Sequence, residues 1–385
     1  MTADHAPRDA AEVSSTTDTV PVRETHRFDV AALERYMARH VAGFKGPVVV
    51  SQFQGGQSNP TYRLTSPGGD YVLRRKPPGK LLPSAHAVDR EYRIMTALAP
   101  TPVPVPRTYA LCEDDSVIGT AFFIMEWVRG RVVADPLLPG MSPADRTRIY
   151  DSMNEVLARL HLVDLEATGL TDYGRPGSYF ARQIHRWTAQ YRASETERIE
   201  AMEHLTAWLP EHVPAEEAPT IVHGDFRPGN LILHPTEPRV VAVLDWELST
   251  LGSPLADLAY NCMPYRLEPS TLGGVLGAPL AEMGLPSEEE YLAAYCRRTG
   301  RSSIPDWEFY LAFAMFRLAA IAQGIMGRVI AGTANDVNAR ARGERARPLA
   351  EAGWATINRA AGNRAASNRA AGHPARGEGV NRRAG

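Results

Sequence analysis

The spacing of apolar positions along this 385-residue chain changes several times, and each change predicts a different kind of structure. Residues 1–26 are polar and without period, which predicts a disordered N-terminal tail. Between Asp29 and Val41, Leu33, Tyr36, Met37 and Val41 recur at helical spacing. Three short β-type runs follow: Pro47 to Phe53, Thr61 to Thr65, and Tyr71 to Arg74. Gly55-Gly56 and Pro67-Gly68-Gly69 supply the turns between them. A helix is expected over Ala87 to Leu98, then further strand ending in the apolar run Ala121 to Met125.

After Trp127 the period becomes mostly helical. Ser142, Pro143 and Asp145 combine an N-cap, a first-turn proline and an acid, ahead of Ile149, Met153, Val156, Leu157 and Leu160. Ser194 with Glu197, and Ser287 with Glu290, repeat the capping pattern. Trp307 to Gly332 is rich in Phe, Ala, Ile and Met, but Glu308, Arg317, Gln323 and Arg328 interrupt it. A buried amphipathic helix fits this better than a membrane span. Strands first and helices afterwards predict an α+β chain of two lobes: a small antiparallel-β N-lobe over 27–127 and a larger helical C-lobe over 128–334. Past Asn335 no large apolar face recurs. Asn-Arg-Ala-Ala repeats at 358, 363 and 368, so 335–385 is expected to be a disordered, basic low-complexity tail.

Composition adds little to the fold but narrows the partners. At 44% hydrophobic, the chain can bury one large core or two. Net charge is −2, with ten Arg against three Glu in 340–385 and a mildly acidic remainder. That balance gives no reason to expect nucleic acid or an anionic membrane as partner. Cys112, Cys262 and Cys296 match no metal spacing, and the first residues lack a secretory pattern. Reduced thiols in a cytoplasmic protein are expected.

The chemistry concentrates in His223-Gly-Asp-Phe-Arg-Pro-Gly-Asn230 and the apolar run ending Val243-Leu-Asp-Trp-Glu247. Leu231 to Leu233 and Arg239 to Leu244 read as the two arms of a short hairpin, which brings Asn230 and Asp245 together at its open end. Two oxygen ligands there suit a hard cation such as Mg²⁺, whose remaining ligands come from phosphates and water. Asp225 is then left to accept a proton from a hydroxyl, the division of labour found in phosphoryl transfer.

On these residues the chain resembles the aminoglycoside phosphotransferase family of protein-kinase-like fold, in the branch of kinase-like domains associated with acyl-CoA dehydrogenases. The resemblance covers roughly 43–333 and implies a bilobal fold, ATP and Mg²⁺. It implies Asp225 as catalytic base, Asn230 and Asp245 as metal ligands, and His223 and Asp257 as braces of the catalytic loop. Arg227 is the second catalytic candidate, a guanidinium placed to face the transferred phosphate and stabilise its charge; an exposed loop arginine is the alternative. Glu247 is either a further metal-site oxygen or a solvated glutamate. The turn carrying Gly55, Gly56, Ser58 and Asn59 matches the phosphate-covering loop, and Glu126-Trp127 the end of the adenine hinge. Where the wider family has a lysine for the nucleotide phosphates, this chain has Arg74, with Lys76 on the same strand face as the fallback and Glu91 as the cation's helix partner.

Asp257 follows Asp245 by only twelve positions, too few for the activation segment with which a protein kinase presents a peptide. A small-molecule hydroxyl is therefore the expected acceptor. Resemblance to the dehydrogenase-associated branch points to a hydroxylated acyl thioester. A run of glutamates (Glu195, Glu197, Glu200, Glu203, Glu211, Glu216, Glu217) keeps a polycationic aminoglycoside open as an alternative. A catalytically silent nucleotide-binding regulator, and an interaction protein acting through its basic tail, are the remaining readings.

Overall fold

The structure, a computed structural model, describes residues 14–15, 18–53, 59–77, 87–175, 177–334 and 338–371. In chain order the elements are β1 (Ser14–Ser15), β2 (Thr19–Val20), α1 (Val30–His40), β3 (Val49–Phe53), β4 (Thr61–Ser66), β5 (Gly69–Arg75), α2 (Val88–Leu98), β6 (Thr108–Cys112), β7 (Phe122–Glu126) and β8 (Arg131–Val132). Then come α3 (Pro143–His161), α4 (Tyr179–Ala193), α5 (Glu200–Glu211), β9 (Thr220–Val222), β10 (Leu231–Leu233), β11 (Val240–Val243), β12 (Thr250–Gly252) and α6 (Pro254–Cys262). The chain ends with α7 (Leu280–Met283), α8 (Glu288–Thr299), α9 (Trp307–Ile330), α10 (Ala339–Gly343) and α11 (Ala346–Ala371).

Two compact units form, Met1–Phe180 with Ala215–Pro305, and Ala181–Pro214 with Asp306–Gly385. The expected helical lobe over 128–334 is therefore split between them. In the first unit, six antiparallel strands are ordered β2-β3-β4-β5-β7-β6. Period-2 alternation decides what each face of this sheet carries. Tyr71 and Leu73 turn to a core that Leu33 and Met37 of α1 cover, and Arg75 shares their side of β5. Arg74 takes the other side, where it meets Glu91 of α2. Asp29 caps α1 by accepting from the Ala32 N–H at 2.9 Å, and Ser142 caps α3 from Asp145 at 3.2 Å.

Three expectations need correction. The N-terminal tail is not structureless over all of 1–26: β2 pairs with β3, and the buried Arg75 guanidinium donates to the His26 carbonyl at 3.0 Å. A strand this short shows no periodicity of its own, because its partner is what orders it. Ser194 does not start a helix. Its hydroxyl donates back to the Gln190 carbonyl at the end of α4, and α5 begins only at Glu200.

The third correction is the C-terminal tail, which forms α10 and the 26-residue α11. Ala346, Leu349, Gly353, Ile357 and Ala360 lie buried on α11 at three- and four-residue steps. Gly353 lets it approach α9 so closely that a Cβ there would sit 3.3 Å from Met315 Cβ. Alanine, the best helix former, also makes a contact face when the partner comes near. A search for large apolar residues overlooks such a face. α9 is long and apolar enough to cross a membrane, yet nearly every side chain from Trp307 to Gly324 is buried.

Candidate active site

The residues singled out as a candidate site lie wholly within the first unit. Leu231 pairs with Val243, and the Leu244 N–H donates to the Asn230 carbonyl at 2.9 Å. This register puts Asn230 on one arm of the β10–β11 hairpin and Asp245 just past the other. Asp245 holds φ 65° and ψ 59°, the left-handed region that few non-glycine residues other than Asn and Asp adopt. Such backbone persists where surrounding structure enforces it, commonly at functional sites.

Asp225 is held from three sides. Tyr260 of α6 donates its hydroxyl to Oδ1, Asn230 Nδ2 donates to Oδ2 at 2.7 Å, and Arg227 Nε lies 3.1 Å from Oδ1 and 3.3 Å from Oδ2. Asn230 Nδ2 also donates to the Asp225 carbonyl at 2.9 Å. Both acceptors can only accept, so the nitrogen must face them. The Asn230 amide oxygen is left as the atom to ligate a cation.

The loop beneath is fixed by two buried groups. Asp257 accepts the His223 N–H at 2.5 Å and the Gly224 N–H at 2.7 Å. Burial pushes its carboxyl up, but His161, His223 and the Gly224 amide outweigh that and hold it below the usual range. His223 Nδ1 accepts the Asp225 N–H, so its Nε2 carries the proton given to the Leu244 carbonyl at 2.9 Å. One buried imidazole thereby ties the Asp225 loop to the strand that leads into Asp245.

Gly224 is required by geometry. Its φ is +84°, and a Cβ there would meet the Leu248 carbonyl oxygen at 2.9 Å. Gly224→Ala is expected to cost about 1–2 kcal/mol of stability from the left-handed backbone alone. Shifting the base loop away from Leu248 should lower phosphoryl transfer by about 10²-fold. Thermal melting and steady-state rates check both; wild-type values would mean the loop absorbs the methyl group.

Arg74 is the charge centre of the site. Its Nε is 2.9 Å from one Glu91 oxygen and 3.1 Å from the other, while Nη2 reaches Asp245 at 2.5 Å and Glu247 at 3.6 Å. Burial works against its charge, but Glu91, Asp245 and Glu247 outweigh burial and strengthen its hold on the proton. Of the two strand cations, Arg74 is the one that meets Glu91; Lys76 lies just past the end of β5, where its backbone bonds to Ala121 and Thr120.

Several expected nucleotide contacts are placed differently. Gly55, Gly56 and Ser58 lie outside the described residues. Asn59 is fully buried and spends its amide on Glu91 at 2.8 Å, making it a brace for the Arg74 partner rather than a phosphate donor. The Glu126 carboxylate accepts from the Arg107 N–H at 3.1 Å, and the Trp127 ring lies under the Arg63 guanidinium at 4.2 Å. Both hinge side chains are thus engaged within the protein. Tyr260 and Asn261 had no motif to announce them. The one available signal was their i+3 and i+4 spacing from Asp257.

The donor set fits the implied metal. An amide oxygen and a carboxylate are hard ligands, and two of them suit a cation completed by phosphate and water. Among the described residues, no cluster of three His, Cys, Asp or Glu offers a competing site.

Comparison with known proteins places the chain in a family. A crystal structure described as a putative aminoglycoside phosphotransferase from Ralstonia eutropha JMP134 is 57% identical, covers 86% of this chain and 99% of its own, and superimposes with a TM-score of 0.80. Mouse acyl-CoA dehydrogenase family member 10 is 48% identical over 340 residues, 88% of this chain and 32% of that protein. Rat acyl-CoA dehydrogenase family member 11 is 43% identical over 350 residues, 89% of this chain and 45% of that protein. The chain thus spans a third to under half the length of these two relatives. The profile of the phosphotransferase enzyme family matches residues 49–313, which carry every residue of the site. The chain has the kinase-like α+β fold and belongs to the phosphotransferase enzyme family.

Proposed function

We propose that this protein transfers the γ-phosphate of ATP to a hydroxyl of a neutral or anionic small molecule, with a hydroxyacyl thioester as the first candidate. The arrangement of Asp225 carries the reading: a carboxylate beside a half-exposed guanidinium, next to an Asn230–Asp245 pair suited to Mg²⁺. Asp225 takes the acceptor's hydroxyl proton while that oxygen attacks the γ-phosphorus and ADP leaves. Magnesium held by Asn230 and Asp245 would supply neutralising charge at the β- and γ-phosphates. Arg227 favours an acceptor or transition state with negative charge near the base.

The acidic run that kept a polycationic acceptor open is largely spent on arginines. Glu195 and Glu203 pair with Arg192, Glu197 with Arg347, Glu200 with Arg198 and Glu217 with Arg301. A carboxylate already paired attracts a further cation weakly. The named relatives, of which this chain matches a part, supply the reason to place acyl thioesters first. The free thiols of Cys112, Cys262 and Cys296 suit a reducing, cytoplasmic setting.

The test is a panel assay with Mg·ATP in which hydroxyacyl-CoA thioesters, the free hydroxy acids and aminoglycosides are each scored for the mass of one added phosphoryl group. The thioesters are expected to gain it. Preferential phosphorylation of an aminoglycoside would overturn the acceptor class while leaving the phosphotransfer chemistry intact.

A further inference from the structure

Helix α6 presents three polar side chains on one face, Asp257, Tyr260 and Asn261, at i, i+3 and i+4. They address consecutive parts of one loop. Asp257 accepts the amides of His223 and Gly224, Tyr260 donates to the Asp225 carboxylate, and Asn261 Nδ2 donates to the Phe226 carbonyl at 3.3 Å. One turn of helix thus specifies the backbone on either side of the base and the orientation of the base itself. Asp257 and Tyr260 are buried and would be costly to bury without these partners.

We propose that Tyr260 is a positioning residue for phosphoryl transfer, fixing which lone pair of Asp225 receives the acceptor's proton; this rests on the phosphotransferase reading of the site. A carboxylate offers about four lone-pair positions. Tyr260 fills one on Oδ1, Asn230 fills one on Oδ2, and the single Arg227 Nε–H is shared between the two oxygens. That leaves little choice of approach for an incoming hydroxyl.

The three donors differ in permanence. Arg227 has a side chain 45% exposed and belongs to the loop it steadies. Asn230 also serves the metal position. Tyr260 is 7% exposed, sits on a helix, and has a rigid ring whose hydroxyl points to Oδ1. It is the donor that stays with Asp225 while phosphate, cation and acceptor come and go. Losing it would free the carboxylate to rotate about its χ2, which has a broad energy well.

Tyr260→Phe keeps the ring and removes only the hydroxyl. With Mg·ATP hydrolysis as the assay, so that no acceptor need be known, kcat is expected to fall about 10–100-fold. KM for Mg·ATP and the melting temperature should stay at wild-type values. Crystal structures of the two proteins should show the Asp225 carboxylate turned in the variant. A wild-type kcat overturns the proposal, as does a parallel fall of kcat, nucleotide affinity and melting temperature, which would make Tyr260 a packing residue. If wild-type protein neither binds nor hydrolyses Mg·ATP, the phosphotransferase reading fails. The Asp225 orientation then decides Tyr260 separately, and an unturned carboxylate in the variant refutes its role.

Discussion

Asp225→Asn is expected to lower phosphoryl transfer by about 10²–10⁴-fold, the range for loss of a general base, while Mg·ATP still binds. The substitution is nearly isosteric, but an amide cannot take the acceptor's proton. It must also turn its NH₂ toward at least one of the donors that now surround the carboxylate, Tyr260 Oη, Asn230 Nδ2 or Arg227 Nε. The resulting mismatch adds local disorder to the chemical defect. Nucleotide affinity should change little, because Arg74, Glu91 and Asp245 meet on a different strand and helix. Rates from single-turnover phosphorylation and affinities from calorimetry separate the two effects. A variant that transfers phosphate at the wild-type rate would assign the base to another group.

What sequence could reveal depended on how local each relation was. Asn230 and Asp245 were legible together because a short hairpin joins them, and strand pairing converts sequence distance into proximity. Asp225 followed from its five-residue offset to Asn230. Which of Arg74 and Lys76 pairs with Glu91 was not legible, since residues two apart share a strand face; the packing of α2 brings Glu91 to Arg74. Asn59 looked like part of a glycine turn, and only packing of α2 under the sheet brings Glu91 to it. Tyr260 is 35 residues from the carboxylate it orients. Helix spacing could mark Asp257, Tyr260 and Asn261 as neighbours without saying what they face. The C-terminal helix was lost for the opposite reason: its alanines, read as composition, lack size, and their worth as a contact face depends on a partner helix that only the fold supplies.

Arg74→Met should destabilise the protein by about 3–5 kcal/mol, the usual cost of removing one partner from a buried pair. Glu91 is 1% exposed and, among the described residues, would keep the Asn59 amide as its partner while the cation it shares with Asp245 and Glu247 is gone. Adding Glu91→Gln to that variant should recover part of the loss above about pH 7, where the buried carboxyl must otherwise stay charged or take up a proton on folding, and it keeps an oxygen for Asn59. The same carboxylate gives stability a pH dependence whose sign can be worked out. Burial, helped by Asp245 and Glu247, pushes the Glu91 carboxyl up from 4.5 to about 7 despite the pull of Arg74. Between those values the folded protein holds a proton that the unfolded chain has released. The contribution of Glu91 to stability is therefore greatest below the lower value and is lost as pH rises through the upper one. Urea titrations at about pH 5 and about pH 8 should show wild-type stability falling across this window, and Glu91→Gln should flatten the slope. An unchanged slope in Glu91→Gln would mean that the pH dependence belongs to other groups and that Arg74 keeps Glu91 ionised throughout.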